Sequence, residues 1–331
     1  MKVGLIDVDS HNFPNLPLMK ISAWRKKQGD DVEWCIPLMH YDRVYVSKVF
    51  SNEYSNDINI CVNADEVIYG GTGYAITVKD GKEVYNKVLD KPLPDEIEHI
   101  YPDYDLYPEY TKNIAYGFLT RGCPNDCSFC IVSKKEGRCS KKVADLSEFW
   151  NGQKNIKLLD PNILACKDHM ELLQQLIDSK AKVDFTQGLD ARFINEENVK
   201  LLKQIKISML HFAFDFMRNE ENILKGLKLA KEHLKLSDRN AIVYMLTNYD
   251  TTIEQDLYRV EKIREAGFAP DVRIYRKTSL PKRHILRDMQ RWCNNRFLYR
   301  SCEFMDYVPR KDGKTIRELY FDNKEMQNNE Q

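Results

Sequence analysis

The order of apolar and polar positions divides the chain into short apolar runs and longer amphipathic segments. Lys2 to Val8 is largely apolar and carries acids at its end, the pattern of a buried parallel strand whose carboxyl edge holds polar groups. Leu16 to Lys27 follows with helical spacing in Leu18, Ile21, Ser22 and Trp24, and Gly29 supplies a stop. Val32 to Ile36, Arg43 to Phe50 and Glu66 to Ile68 read as further strands, so residues 1–91 are expected to form a small doubly wound α/β domain. Residues 92–112 hold Pro92, Pro94, Pro102 and Pro108 among acids and tyrosines, which predicts an extended linker. Its tyrosines, Tyr101, Tyr104, Tyr107 and Tyr110, are expected to pack on the following domain.

From residue 113 onward strands and helices alternate in longer units. The predicted strands are Ile114 to Leu119, Asn155 to Leu159, Lys182 to Thr186, Met209 to Phe214, Ala241 to Leu246 and Asp271 to Tyr275. Amphipathic segments separate them at Met170 to Ile177, Asn195 to Ile205, Glu221 to Leu234 and Ile253 to Ala266. Roughly six βα units fall short of the eight that close a TIM barrel, so residues 113–280 are expected to form a partial (βα)6 barrel, followed by a C-terminal extension over 281–331.

Composition narrows the class. Fifty basic residues balance fifty acidic ones, so no global field draws the chain to nucleic acid or to an anionic membrane. The apolar start is too short and too soon acidic for a signal peptide, and no window reaches the ~18 apolar residues of a membrane span. A soluble, cytoplasmic protein is expected. Nine cysteines without a leader fit a reducing compartment better than a disulfide framework.

The chemistry concentrates in Arg121-Gly-Cys-Pro-Asn-Asp-Cys-Ser-Phe-Cys130. Cys123, Cys127 and Cys130 make a C-x3-C-x2-C triplet, which folds three thiolates toward one point and leaves the fourth corner of a cubane iron–sulfur cluster without a protein ligand. A structural zinc site would take a fourth ligand, for which His99 and Cys139 are available, but it favours two separated pairs. With Phe129 before the last cysteine, the triplet resembles that of the radical S-adenosylmethionine (SAM) superfamily. The resemblance implies a [4Fe–4S] cluster whose open iron chelates the amino and carboxylate groups of SAM and cleaves it to a 5′-deoxyadenosyl radical. It also implies a flavodoxin or ferredoxin-type reductant.

Polar residues follow the predicted strands, where parallel sheets place reactive groups. By resemblance, Asp160 and Asn162 meet the SAM amino group, Gln187 and Arg192 its carboxylate and ribose, Thr247 and Asn248 its adenine, and the backbone beside Phe129 also faces the base. A plain turn at Asp160-Pro-Asn162 is the simpler alternative. Asp215, ending an apolar strand, suits the ribose or a substrate, with a buried ion pair as the alternative. No catalytic residue is singled out.

The N-terminal region resembles the cobalamin-binding domains fused to radical SAM cores. Asp9-Ser-His11, Ser47-Lys-Val49 and Gly70-Gly71 fall at that domain's loops, and His11 would be the lower axial ligand. Pro14 stands where the family has glycine, so cobalamin is not expected and the loops are expected to lend residues to a substrate pocket. The opening Lys2–Asn15 and the compact layout resemble the queuine lyases, which implies cleavage of the C–N bond of queuine, a 7-deazaguanine base, to release preQ1. Asp7, Asp9, His11, Asn12 and Asp190 are the expected substrate contacts. The alternative reading is a cobalamin-dependent radical SAM methyltransferase or a tRNA-modifying radical SAM enzyme. Between Arg273 and Arg300 many bases interleave with Trp292, Phe297 and Tyr299, a composition that can grip RNA. Helical spacing of Arg287 and Arg291 favours a solvated or salt-bridged helix instead.

Overall fold

Two parallel sheets organise the chain in the computed structural model, which describes residues 1–59, 61–79 and 82–322. The polar end with Gln327, Asn328, Asn329 and Gln331, expected to fray, lies outside the described residues.

The first sheet contains β1 (Lys2–Asp7), β2 (Asp31–Trp34), β3 (Tyr41–Ser47) and β4 (Ala64–Gly70) in the order β2-β1-β3-β4, with every pair parallel. Successive side chains of β1 point to opposite faces. Val3 and Leu5 pack with Leu18 and Ile21 of the helix Leu16–Lys27, while Ile6 packs with Tyr41, Val44 and Val46 on the other side. Burial on both faces explains the near-continuous apolar run at the start of the chain. Asn15 caps the helix, its Oδ1 accepting the Leu18 N–H at 3.2 Å.

This domain is less wound than expected. A helix joins β1 to β2, but the spans 35–40 and 48–63 that lead into β3 and β4 contain no helix among the described residues. Because β2 has only four residues, a short extended return suffices where parallel strands ordinarily need a longer crossover. A small antiparallel hairpin of β5 (Ile76–Lys79) and β6 (Lys82–Tyr85) follows.

Residues 92–112 are also more ordered than an extended linker. They form the helical turns Asp95–Glu98, Tyr104–Leu106 and Pro108–Thr111. Pro94 and Pro108 stand at helix starts, where a missing N–H costs nothing. The tyrosines are bonded: Tyr104 Oη donates to the Phe149 carbonyl and Tyr107 Oη to Asp7 Oδ2, each at 2.6 Å.

Past this segment come β7 (Ile114–Gly117), the antiparallel pair β8 (Thr120–Arg121) and β9 (Lys141–Lys142), then β10 (Asn155–Leu158), β11 (Lys182–Phe185), β12 (Lys206–Ala213), β13 (Ala241–Thr247) and β14 (Pro270–Ile274). The second large sheet has six strands in the order β14-β13-β12-β11-β10-β7, and β7 with β10, β12 with β13 and β13 with β14 pair in parallel. Helices His169–Ser179, Glu220–His233 and Ile253–Glu265 lie near the predicted segments. The helix expected over 195–205 is only Asn198–Leu202, because the Asn195 side chain accepts the N–H groups of Glu197 and Asn198, each at 2.9 Å, and delays its start. The fold is α/β with parallel sheets. Its contacts divide it into two compact units, Met1–Asp184 and Phe185–Gln331.

Candidate metal centre

In the first unit, the cysteine loop leaves β8 and returns at β9. Gly122 turns at φ +89°, and a Cβ there would lie 2.3 Å from the Cys139 carbonyl oxygen. Only glycine lets the two arms approach so closely. Glu136 closes the loop, accepting from Arg121 Nη1 at 2.9 Å and from the Gly122 N–H at 3.1 Å. The Cys123 N–H donates to the Gly137 carbonyl at 3.1 Å, and the Cys130 N–H to the Cys127 carbonyl at 2.9 Å. Asp126 receives Ser133 Oγ at 2.7 Å and pairs with Arg138 at 2.6 Å. The three cysteines and Phe129 are half-buried, and no disulfide involves any cysteine among the described residues.

The turn after β10 braces this loop. Asp160, 3% exposed, accepts from the N–H groups of Leu119 at 3.1 Å and Thr120 at 2.6 Å, and from Thr120 Oγ1 at 2.7 Å. Burial pushes its carboxyl up to about 6, against the pull of those three donors. Asp160, expected at the SAM amino group, engages the segment that leads into Cys123. Asn162, 1% exposed, directs Nδ2 at Cys123 Sγ at 3.7 Å, while its carbonyl accepts Ser140 Oγ at 2.8 Å.

The N-terminal acids also have partners within the chain. Asp9 is buried and accepts the N–H groups of Val49 at 2.7 Å and Phe50 at 3.0 Å, so it anchors the loop after β3. Asp7 receives the Ser10 N–H at 3.1 Å as well as Tyr107. Asn12, at φ +59°, receives Tyr110 Oη at 3.4 Å, and His11 is exposed. The Gly70-Gly71 loop is closed: a Cβ on Gly71 would meet the Lys48 carbonyl at 2.3 Å, and Lys48 itself is buried with Asn52 as partner. Lys135, in the helical turn after the cysteines, donates to Thr72 Oγ1 at 2.5 Å.

In the second unit, Arg192 spends its fork on Asp190, with Nε to Oδ1 at 2.8 Å and Nη2 to Oδ2 at 2.6 Å. The residues expected to serve cofactor and substrate separately thus form one bidentate pair. Gln187 is exposed beside Gly188. Asp215 Oδ1 accepts the Leu246 N–H at 2.8 Å, and burial raises its carboxyl above the usual carboxylate range. Thr247 is buried and Asn248, at φ +62°, donates to the Tyr275 carbonyl at 2.8 Å. In the basic stretch, Trp292 is buried against Phe304 and Tyr299, and Arg287 donates to the carbonyls of Lys277 at 2.6 Å and Leu280 at 3.0 Å. Arg300 pairs with Asp238. Phe297, 78% exposed, stays at the surface with Lys282 and Arg283.

The residues not anticipated from the sequence are Glu136, Ser140 and Arg259. The first two follow the triplet without any spacing signal, and Arg259 lies in a helix whose charge pattern reads as surface.

No protein-family description matches the chain. It is 28% identical over 138 residues to the ribosomal protein uS12 methylthiotransferase RimO of Stutzerimonas stutzeri, covering 39% of this chain and 30% of that protein. It is 23% identical over 209 residues to the RimO of Clostridioides difficile, covering 57% and 46%. It is 28% identical over 136 residues to the tRNA-2-methylthio-N(6)-dimethylallyladenosine synthase of a Sulfurihydrogenibium species, covering 36% and 30%. The chain is similar to radical SAM methylthiotransferases. It spans less than half the length of these relatives. Radical SAM methylthiotransferases use [4Fe–4S] clusters and SAM, the cofactors to which the cysteine triplet pointed. Their names concern a ribosomal protein and tRNA, so the expected queuine lyase activity, the carbon–nitrogen lyase class and the small 7-deazaguanine substrate find no support among them.

The donor set fits such a cluster. Three half-buried thiols lie on a braced loop, with an amide donor directed at one sulfur. Among the described residues no three His, Cys, Asp or Glu side chains converge on a point that a single ion could occupy. A cubane needs no such convergence, since each thiolate takes a different iron. No helix among the described residues is long and apolar enough to cross a membrane.

Proposed function

We propose that this chain is a radical SAM enzyme that modifies tRNA. The supporting observation is the Cys123, Cys127 and Cys130 loop, closed by Glu136 and braced by Asp160 and Asn162. A domain over 1–91, a connector over 92–112, a partial (βα)6 barrel over 113–280 and a C-terminal extension over 281–331 complete this reading. A cluster held by the three thiolates supplies the one-electron reduction on which SAM-derived radical chemistry depends.

The chain's own residues hold and orient. Asp160 and Glu136 fix the loop ends, so that the thiols are presented without a search through loop conformers. Gln187, Arg192, Asp215, Thr247 and Asn248, with the backbone beside Phe129, remain the proposed SAM contacts, and Asp190, paired with Arg192, remains a substrate candidate. Asp7, His11 and Asn12 remain substrate candidates, while Asp9 is assigned to loop anchoring. A flavodoxin or ferredoxin-type protein is the proposed reductant, and cobalamin is not part of the proposal. Methylthio transfer, named for the relatives, is not carried over. Outside the triplet this chain has Cys35, Cys61, Cys139, Cys166, Cys293 and Cys302, without the ligand spacing of a second cluster.

The test is anaerobic incubation of reconstituted protein with SAM and dithionite, in parallel with unmodified tRNA, a uS12 peptide or queuine, read by mass spectrometry. We expect 5′-deoxyadenosine formation stimulated by tRNA and a mass change on one nucleoside. Release of preQ1 from queuine, or stimulation by the peptide alone, would replace the tRNA assignment.

A further inference from the structure

Asn162 places its side-chain amide beside a sulfur of the cysteine triplet. Its Nδ2 lies 3.7 Å from Cys123 Sγ, within reach of a hydrogen bond to sulfur, at a residue almost wholly removed from solvent. The main chain around it is held: its carbonyl accepts Ser140 Oγ at 2.8 Å and the Ala165 N–H at 3.3 Å. Two residues earlier, Asp160 grips Thr120. One turn therefore fixes both the strand that leads into Cys123 and an amide beside its sulfur.

A thiolate only accepts hydrogen bonds, so with Cys123 ionised the amide's N–H side is the favourable one to present. The bond is charge-assisted and lies in a site with little competing water, where such bonds are strongest. Hydrogen bonds to ligand sulfurs set cluster reduction potentials: an added electron makes the sulfurs more negative, and a donor stabilises the reduced state more than the oxidised one.

We propose that Asn162 is a positioning residue that donates an N–H···S hydrogen bond to the Cys123 thiolate and raises the reduction potential of the cluster bound there. This rests on the reading of the triplet as a [4Fe–4S] site, and it gives Asn162 a role toward the cluster rather than the role toward the SAM amino group expected from its position.

The test is a redox titration of anaerobically reconstituted protein without SAM, followed by electron paramagnetic resonance, with iron and sulfide content measured alongside. Asn162→Leu keeps the approximate shape and removes the donor; Asn162→Asp keeps the shape and replaces the donor with an acceptor. Both are expected to lower the midpoint potential, weakening the one-electron reduction equilibrium by up to about tenfold, which is about 59 mV. A packing role alone would leave a loaded cluster's potential unmoved. Fully loaded variants that titrate with the wild type overturn the proposal. Should the variants fail to load, the wild type labelled with 15N in its asparagine side chains decides. A 15N modulation of the reduced cluster's spin echo supports the bond, and its absence overturns it. A wild type that takes up no cluster overturns the reading of the site and the hydrogen bond together, whereas unshifted potentials in loaded protein overturn the hydrogen bond alone.

Discussion

Asp160 shows how a residue's place in a sequence and its work in the fold can differ. Its position after a strand marked it for a ligand, but which way a carboxylate turns depends on donors about forty residues earlier, at Leu119 and Thr120. Asp160→Ala leaves both N–H groups without an acceptor in a dry place, at roughly 1–3 kcal/mol each. We expect urea unfolding to show a loss of about 2–6 kcal/mol, with iron content per chain reduced in reconstituted protein. The carboxyl's value of about 6 adds a pH signature. It lies above the ordinary carboxylate value, so between roughly pH 4 and 6 the folded chain binds this proton more tightly than the unfolded one. The group's contribution to stability is present at low pH and lost as pH rises through about 6, a slope absent from the alanine variant.

Among elements, the helix Ile253–Glu265 has the clearest effect on its neighbours. Arg259 is fully buried, and its guanidinium donates to the carbonyls of Phe214 at 2.7 Å, Asp215 at 3.0 Å and Leu246 at 2.8 Å, and to Asp256 at 2.5 Å. It thereby ties the carboxyl ends of β12 and β13, the edge at which parallel sheets bind ligands. Arg259→Met abandons the Asp256 charge in the interior, which typically costs about 3–5 kcal/mol. The double variant Arg259→Met with Asp256→Leu should recover part of that loss, because it removes the orphaned charge as well. Thermal unfolding of the two proteins checks both. Ten strands, four in the first sheet and six in the second, and most helices around them were legible because a period of two or of 3.6 is written in neighbouring residues. The turns at Asp95–Glu98 and Pro108–Thr111 were not, since proline reads as a breaker in the sequence and acts as a helix starter once its neighbours pack.

For the whole molecule, charge decides how tRNA would be held. The chain is neutral, and in its basic C-terminal stretch the exposed Arg273, Lys277, Arg291 and Arg300 are bonded within the chain, leaving Lys282 and Arg283 as exposed cations without such a bond among the described residues. Two or three phosphate contacts imply that affinity for tRNA falls roughly ten- to fortyfold between 50 and 200 mM salt. Filter binding across that range checks this; affinity indifferent to salt would exclude phosphate contacts of that number. The aromatic part of the RNA expectation is narrowed, because Trp292 is buried and only Phe297 is broadly exposed.

The sequence by itself determined the three cysteines and their spacing, the parallel α/β class and most strand positions, because these depend on residues close together along the chain. Only the tertiary structure decided which protein partners the polar groups take. Asp9, Asp160 and Asn162 were assigned by partners tens of residues away. Such pairings become definite only when burial removes water and each buried donor must find an acceptor.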